Sequence, residues 1–147
     1  MTTAQIVASA RGWIGTPFVH RASARGAGAD CLGLLCGVWR DVFGSVPADV
    51  PFYTTDWSEP QGDEVLWRAL EHHMMSKDAN ADALGDVLLF RMRDGAVAKH
   101  CGVQTVCGAR ASFVHSYMRH GVVETSLSEP WRRRLVARFS FPLIEKG

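Results

Sequence analysis

Apolar residues recur at helical spacing in the first half of the chain and at strand-like spacing in the second. Ile6, Val7, Ala10 and Trp13 form the stripe of a first helix, which Thr2 or Thr3 can cap and Gly15-Thr16-Pro17 ends. Residues 18–29 read as a loop of small residues. Cys31, Leu34, Leu35, Val38, Trp39 and Val42 then follow the i, i+3, i+4, i+7 rule and predict a second helix over about 30–43. That helix is apolar on most sides, as a buried central helix is. Its Gly33 and Gly37, four apart, suit the close approach of another backbone. Residues 44–61 hold Pro47, Pro51 and Pro60 and no clear period, and read as a long surface excursion. Val65, Leu66, Ala69 and His72 or His73 predict a third helix over about 62–75, with His72-His73 on a solvated or half-buried edge. After Gly85 the period becomes strand-like, with candidates at 86–92, 99–107, 110–117, 121–125 and 135–141 and one helical turn at Glu129-Pro130-Trp131-Arg132. Helices followed by antiparallel strands make an α+β domain.

The 99–117 stretch carries a geometric expectation. Cys107-Gly108-Ala109-Arg110 suits a two-residue turn of type II′. That register pairs Gly102 with His115 and His100 with Tyr117. It makes His100 and His115 diagonal neighbours on one face. A slip of one residue would separate them.

Length and composition set the class. The 147 residues suit a single domain over 1–147, able to bury one core. A net charge of +1 gives no general drive toward nucleic acid or anionic membranes. Val87-Leu88-Leu89-Phe90 is a strand-sized apolar run, and nothing longer suggests membrane insertion. The N-terminus lacks the basic start and apolar stretch of a secretory signal, so an outward route is expected to run through assembly into a particle. Cys31, Cys36, Cys101 and Cys107 make no C-x-x-C pair and read as reduced thiols, one reactive and three filling the core. A zinc site built from Cys31, Cys101, His100 and His115 matches no compact module, and no metal is expected.

Cys31 follows Asp30 at the start of the central helix. The helix dipole and free N–H groups there favour a thiolate, and Asp30 is placed to cap. A histidine beside such a thiol makes an activated nucleophile, and His100 and His115 lie downstream on candidate strands. A second polar residue fixes the tautomer and ring direction of the first.

Taken in order, these segments resemble the NlpC/P60 peptidases, papain-like cysteine peptidases that cut the peptide stems of bacterial cell wall. The resemblance rests on Gly15-Thr16-Pro17-Phe18, Asp30-Cys31-Leu32-Gly33-Leu34, Gly85-Asp86-Val87-Leu88-Leu89-Phe90, His100-Cys101-Gly102-Val103 and His115, in order and at fitting spacing over nearly the whole chain. More narrowly the chain resembles short versions carried by phage tails and gene transfer agents. The resemblance implies a papain-like fold with N-terminal helices packed on a C-terminal antiparallel sheet. It implies Cys31 as nucleophile, His100 as base and His115 as third member, with no cofactor. Its substrate would be the peptidoglycan stem peptide, and its partners other tail-tip or baseplate proteins. Its location would be a virion-like tail tip, reached from the bacterial cytoplasm.

Three positions depart from the family pattern. Phe18 stands where tyrosine is usual, and His20, two residues on, is a candidate polar group for the same rim. Leu32 replaces a serine and would remove a polar group from the substrate subsite. His20-Arg21-Ala22-Ser23 replaces a Gly-Gly. Asp30, Phe18, His20, Leu32 and Gly102 are therefore the expected supporting residues. Phe18 and Leu32 sustain an alternative, a silent tail-tip subunit that keeps the fold. Phe52, Tyr53 and Trp57 of the excursion are candidates to flank a cleft, and Arg132-Arg133-Arg134 reads as a solvated face.

Overall fold

The computed structural model describes residues 2–50, 53 and 61–142. Helix α1 spans Thr3–Gly12 and starts on a capping box. The Gln5 N–H donates to Thr2 Oγ1 at 3.2 Å, and the Thr2 N–H donates back to Gln5 Oε1 at 2.8 Å. Two short strands follow, β1 (Ser23–Ala24) and β2 (Gly28–Ala29), paired as a miniature hairpin. Helix α2 (Cys31–Phe43) is capped by Asp30 and stopped by Gly44 in the left-handed region at φ 89°. Helix α3 spans Val65–His73. Strands β3 (Met75–Lys77), β4 (Val87–Phe90), β5 (His100–Val106), β6 (Ser112–Tyr117), β7 (Gly121–Ser126) and β8 (Leu135–Ser140) make one sheet, with helix α4 (Glu129–Arg134) before the last strand. Every pairing is antiparallel, in the order β3-β8-β4-β5-β6-β7.

The centre of the sheet, β4 and β5, is buried on both faces, which explains the uninterrupted apolar run of β4. Val87 and Leu89 pack with Cys101, Val103 and Val114 against Ile6, Leu34, Leu35 and Val38 of the helices. Leu88 and Phe90 point the other way, into a smaller cluster with Phe113 and Leu127, roofed by Trp131 of α4. No helix among the described residues is long and apolar enough to cross a membrane.

The two glycines of α2 act differently. A Cβ on Gly33 would stand 1.8 Å from the Ala22 carbonyl oxygen, so here a backbone does approach. At Gly37 the neighbour is the Trp13 ring, at 2.0 Å. Gly33→Ala is expected to destabilise the domain by roughly 1–3 kcal/mol or more, since the obstruction is backbone. Urea denaturation reads that loss.

Three expectations need correction. The 62–75 helix is shorter at both ends, and Met74 is already extended (φ −130°, ψ 171°), so Met75–Lys77 adds an edge strand beside β8. The loop 18–29 contains the β1–β2 hairpin, whose two-residue strands have no period to read. The β5–β6 turn is a 3₁₀ turn over Gly108–Arg110 with Gly108 at φ 86°, not a two-residue type II′ turn. Its extra residue is absorbed by a bulge between Gln104 and Val106. Beyond the bulge, Val103 pairs with Val114 and Gln104 with Phe113, which is the expected register.

Candidate active site

The N-terminus of α2 is held by one buried carboxylate. Asp30 Oδ1 accepts the Gly33 N–H at 2.7 Å, satisfying a free donor of the first turn. Its Oδ2 accepts the Arg21 N–H at 2.7 Å and the Tyr53 hydroxyl at 2.6 Å, with His20 Nδ1 3.7 Å away. Burial and the Asp30 carboxylate push the Tyr53 hydroxyl well above its ordinary range, so it remains a donor. Arg21 takes a left-handed backbone, φ 62°, to bring its N–H there. Asp30 thus orders the segments on both sides of Cys31, the first residue of the helix.

Cys31 is largely buried, and its thiol donates to the Lys99 carbonyl at 3.7 Å, next to His100. The other three cysteines are held away from thiolate chemistry. Burial pushes Cys36 up to about 11. Cys101 donates to the Cys31 carbonyl at 3.5 Å, and its thiol is raised by that neighbour and by burial. Burial also raises Cys107. All four are free.

His100 opens β5 and His115 lies in β6. Their rings meet, Nε2 of His100 to Nδ1 of His115, at 2.7 Å. His115 Nε2 lies 2.8 Å from Thr125 Oγ1 on β7. One proton arrangement satisfies the chain while leaving a basic nitrogen on His100: Nε2–H of His100 donates to His115 Nδ1, and Nε2–H of His115 donates to Thr125. The lone pair of His100 Nδ1 is then free. Gly102 makes the close pairing fit, because a Cβ there would lie 2.9 Å from the Val114 carbonyl oxygen and 3.1 Å from His115 Cβ.

Both histidines project from the sheet face opposite α2. They stand with Phe90, Phe113 and Tyr117 under Trp131, whose ring lies 5.8 Å from His100 and 5.2 Å from His115. At the end of the sheet His100, without His115, lines one cleft together with Cys31, Phe18, His20, Asp30, Lys99, Ser116 and Tyr117; Met92 and Met118 complete its walls. Leu32 is not among these lining residues. It is buried at a separate apolar pocket with Leu35, Cys36 and Trp39, so the expected change at a substrate subsite does not arise there. Cys101 lies on the helix side and the histidines on the other, and the four do not converge on a metal. Of the excursion aromatics, Tyr53 reaches Asp30, while Phe52 and Trp57 lie outside the described residues.

Thr125 and Trp131 are site neighbours that sequence reasoning missed, whereas Tyr53 was among the expected cleft-flanking aromatics. Thr125 was reachable, because it pairs with Phe113, placing it diagonal to His115 on the same face. Trp131 arrives over a long sequence separation with no local signal.

Burial lowers His100 to about 3, with the neighbouring His115 adding to the effect. It lowers His115 to about 4, with His120 contributing. Both rings are therefore neutral at neutral pH, so the His100 Nδ1 lone pair is unprotonated there. A stability consequence follows from linkage. Unfolded histidines titrate near 6.5, so below that pH the unfolded chain takes up protons that the folded chain excludes. This contribution is full above pH 6.5 and is lost as pH falls toward 3–4. Between pH 6.5 and 5 the two rings together cost at most about 4 kcal/mol. Urea midpoints across this range should fall steeply. His115→Asn, which cannot titrate, should lose about half of that slope.

No protein-family model matches the chain, and no curated protein matches it in sequence. Solved structures do match. The NlpC/p60 domain of the peptidoglycan hydrolase SagA is 22% identical, with a TM-score of 0.65 over 96% of this chain and 100% of that one. An NlpC/P60 family protein from Bacillus cereus ATCC 10987 is 15% identical, with a TM-score of 0.67 over 96% of this chain and 40% of its own. A Staphylococcus aureus Mu50 protein, described as similar to a lipoprotein of the NLP/P60 family, is 18% identical, with a TM-score of 0.63 over 97% of this chain and 42% of its own. The chain thus spans about two fifths of the last two proteins. At these identities the likeness is one of architecture, and it accords with the mixed helices and antiparallel sheet: the chain has the NlpC/P60 form of the papain-like α+β fold.

Proposed function

We propose that this protein is a cysteine peptidase that cleaves the stem peptides of peptidoglycan, with Cys31 as nucleophile, His100 as base and His115 as the residue that orients it. The observation that carries this reading is the cleft that Cys31, at a helix N-terminus, shares with His100, whose ring is hydrogen-bonded from behind to His115. His100 Nδ1 takes the Cys31 proton, and the sulfur leaves its contact with the Lys99 carbonyl. The thiolate adds to the amide carbonyl, and the Cys31 backbone N–H at the helix start faces the developing oxyanion. The proton held by His100 passes to the leaving amine as the C–N bond breaks, leaving a thioester. Water then loses a proton to His100 and attacks the thioester. The acid product departs and the proton returns to sulfur.

Thr125 supports the tautomer from the far end. Thr125→Val is expected to lower kcat by about tenfold with little change in KM, consistent with the loss of one neutral hydrogen bond behind the base. Steady-state kinetics on a stem-peptide amide check this.

The substrate assignment is supported by the fold and by the order of the motifs. The setting we propose is a phage-like tail or gene-transfer-agent baseplate, where the enzyme opens the wall during DNA delivery. This part rests on the resemblance to short tail-borne versions, and co-sedimentation with assembled tails tests it. The activity is tested on purified sacculi. The unmodified protein should release stem-cleaved muropeptides and Cys31→Ala should not. Cleavage by both would remove Cys31 from the mechanism. Cleavage by neither, with the thiol alkylating readily, would favour the silent structural subunit.

A further inference from the structure

A second group of ligand-type side chains lies outside the cleft, where the excursion meets α3. We propose that Asp49, His72 and His73 form a binding site for a zinc-class divalent metal ion that clips the start of the excursion to the end of α3.

The geometry is specific. His72 Nε2 lies 3.3 Å from one Asp49 carboxylate oxygen, and His73 Nε2 lies 3.2 Å from the other. One ligand atom from each residue falls within a 4.8 Å set. Bonds of about 2.0–2.1 Å around a tetrahedral ion place neighbouring ligand atoms about 3.4 Å apart; the two nitrogen-to-oxygen spacings, each to its own Asp49 oxygen, are close to that, and the three-atom set would draw in from its 4.8 Å limit on binding. Consecutive helix residues diverge by about 100°. These two nevertheless converge, with their rings crossed at 83° and centroids 4.7 Å apart. The Trp39 ring packs edge-on against His73 at 6.5 Å and fixes one ligand.

Simple ion pairing accounts for this less well. Two imidazolium rings sharing one carboxylate would repel each other, whereas two neutral imidazoles and a carboxylate are a ligand set that zinc takes. The donor set selects zinc and its imidazole-binding neighbours over magnesium or calcium, which want oxygen. Asp49 and His72 are exposed, which leaves an open coordination position for water.

The site bears on the excursion rather than on the chemistry. Asp49 stands four residues before Tyr53, whose hydroxyl anchors the same segment to Asp30. A metal at Asp49 would add a second anchor to α3. None of the three residues lines the Cys31 cleft, so the site and the peptidase reading stand or fall separately.

The test titrates the full chain with Zn²⁺ alone by calorimetry, and with Co²⁺ by absorption. One equivalent should bind, with visible cobalt bands and no intense thiolate charge-transfer band, which excludes the four cysteines. His73→Ala should weaken binding by roughly 100-fold or more, and Asp49→Asn, a change on an exposed side chain, should weaken it without altering the metal-free melting temperature. Zinc should raise the melting temperature of the unmodified protein and leave that of Asp49→Asn unchanged. No stoichiometric binding, binding with thiolate bands, or equal binding by Asp49→Asn and His73→Ala would each overturn the proposal.

Discussion

His100→Ala is expected to lower kcat/KM on a stem-peptide amide by at least about 10⁴-fold, because the base and the leaving-group acid are the same ring. The neighbouring positions should grade the loss. His115→Ala removes the acceptor that holds His100 Nε2–H at 2.7 Å, and with it the preference for a free Nδ1. A cost of about 10²-fold or more is expected, by analogy with enzymes whose base is left in the wrong tautomer. His115→Asn should recover much of it, since an amide oxygen can accept the same hydrogen bond. Steady-state kinetics on the three variants, each checked by thermal melting, read this order. Equal losses in all three would mean that His115 does more than orient its neighbour.

Arg138→Met is expected to cost about 3–5 kcal/mol of stability. Arg138 is only 1% exposed on β8, yet it carries a full charge. Its guanidinium donates to Asp86 at 3.0 Å, to Asp82 at 3.0 Å and to Gln104, and its Nε donates to the Ala79 carbonyl at 3.2 Å. Asp86, the acidic residue of the Gly85-Asp86 pair, is itself buried and among the described residues keeps Lys77, at 2.8 Å, as its charged partner once Arg138 is gone. Lys77 compensates partly, so the lower half of the range is expected. Arg138→Met combined with Asp86→Leu should recover part of the loss, since it removes the stranded charge. Urea denaturation measures both variants. None of these residues lines the Cys31 cleft, so the remaining folded protein should keep its kcat.

What the sequence revealed follows from where periodicity is strong. The α2 stripe, the apolar β4 run and the alternation of β5 and β6 each bury a continuous face, and continuous faces leave a period. The His100–His115 neighbourhood was legible because the register depends on alternation near the site, and a bulge at Gln104–Val106 cancelled the error in the turn. The edge strand Met75–Lys77 was hidden because Met75 is exposed and only its backbone pairing defines it. Which sheet face the histidines share was open in the sequence, because a helix start and a strand start meet at the end of the sheet, which no local pattern encodes. Leu32 adjoins Cys31 in sequence but does not line the cleft. One residue further along the helix is a turn of about 100°, into the core. Tyr53 and Trp131 reach the site over long separations, and only the tertiary fold brings them there.

The most direct measurement is the rate at which each cysteine of the unmodified protein and of His100→Ala is alkylated by iodoacetamide near pH 7.5, mapped by peptide mass spectrometry. Cys36, Cys101 and Cys107 have raised thiols and should react slowly in both proteins. Cys31 should react first in the unmodified protein and at least tenfold more slowly in His100→Ala, because the imidazole that takes its proton is gone. A Cys31 that reacts no faster than Cys36, or at the same rate with and without His100, would contradict a thiol activated by that ring.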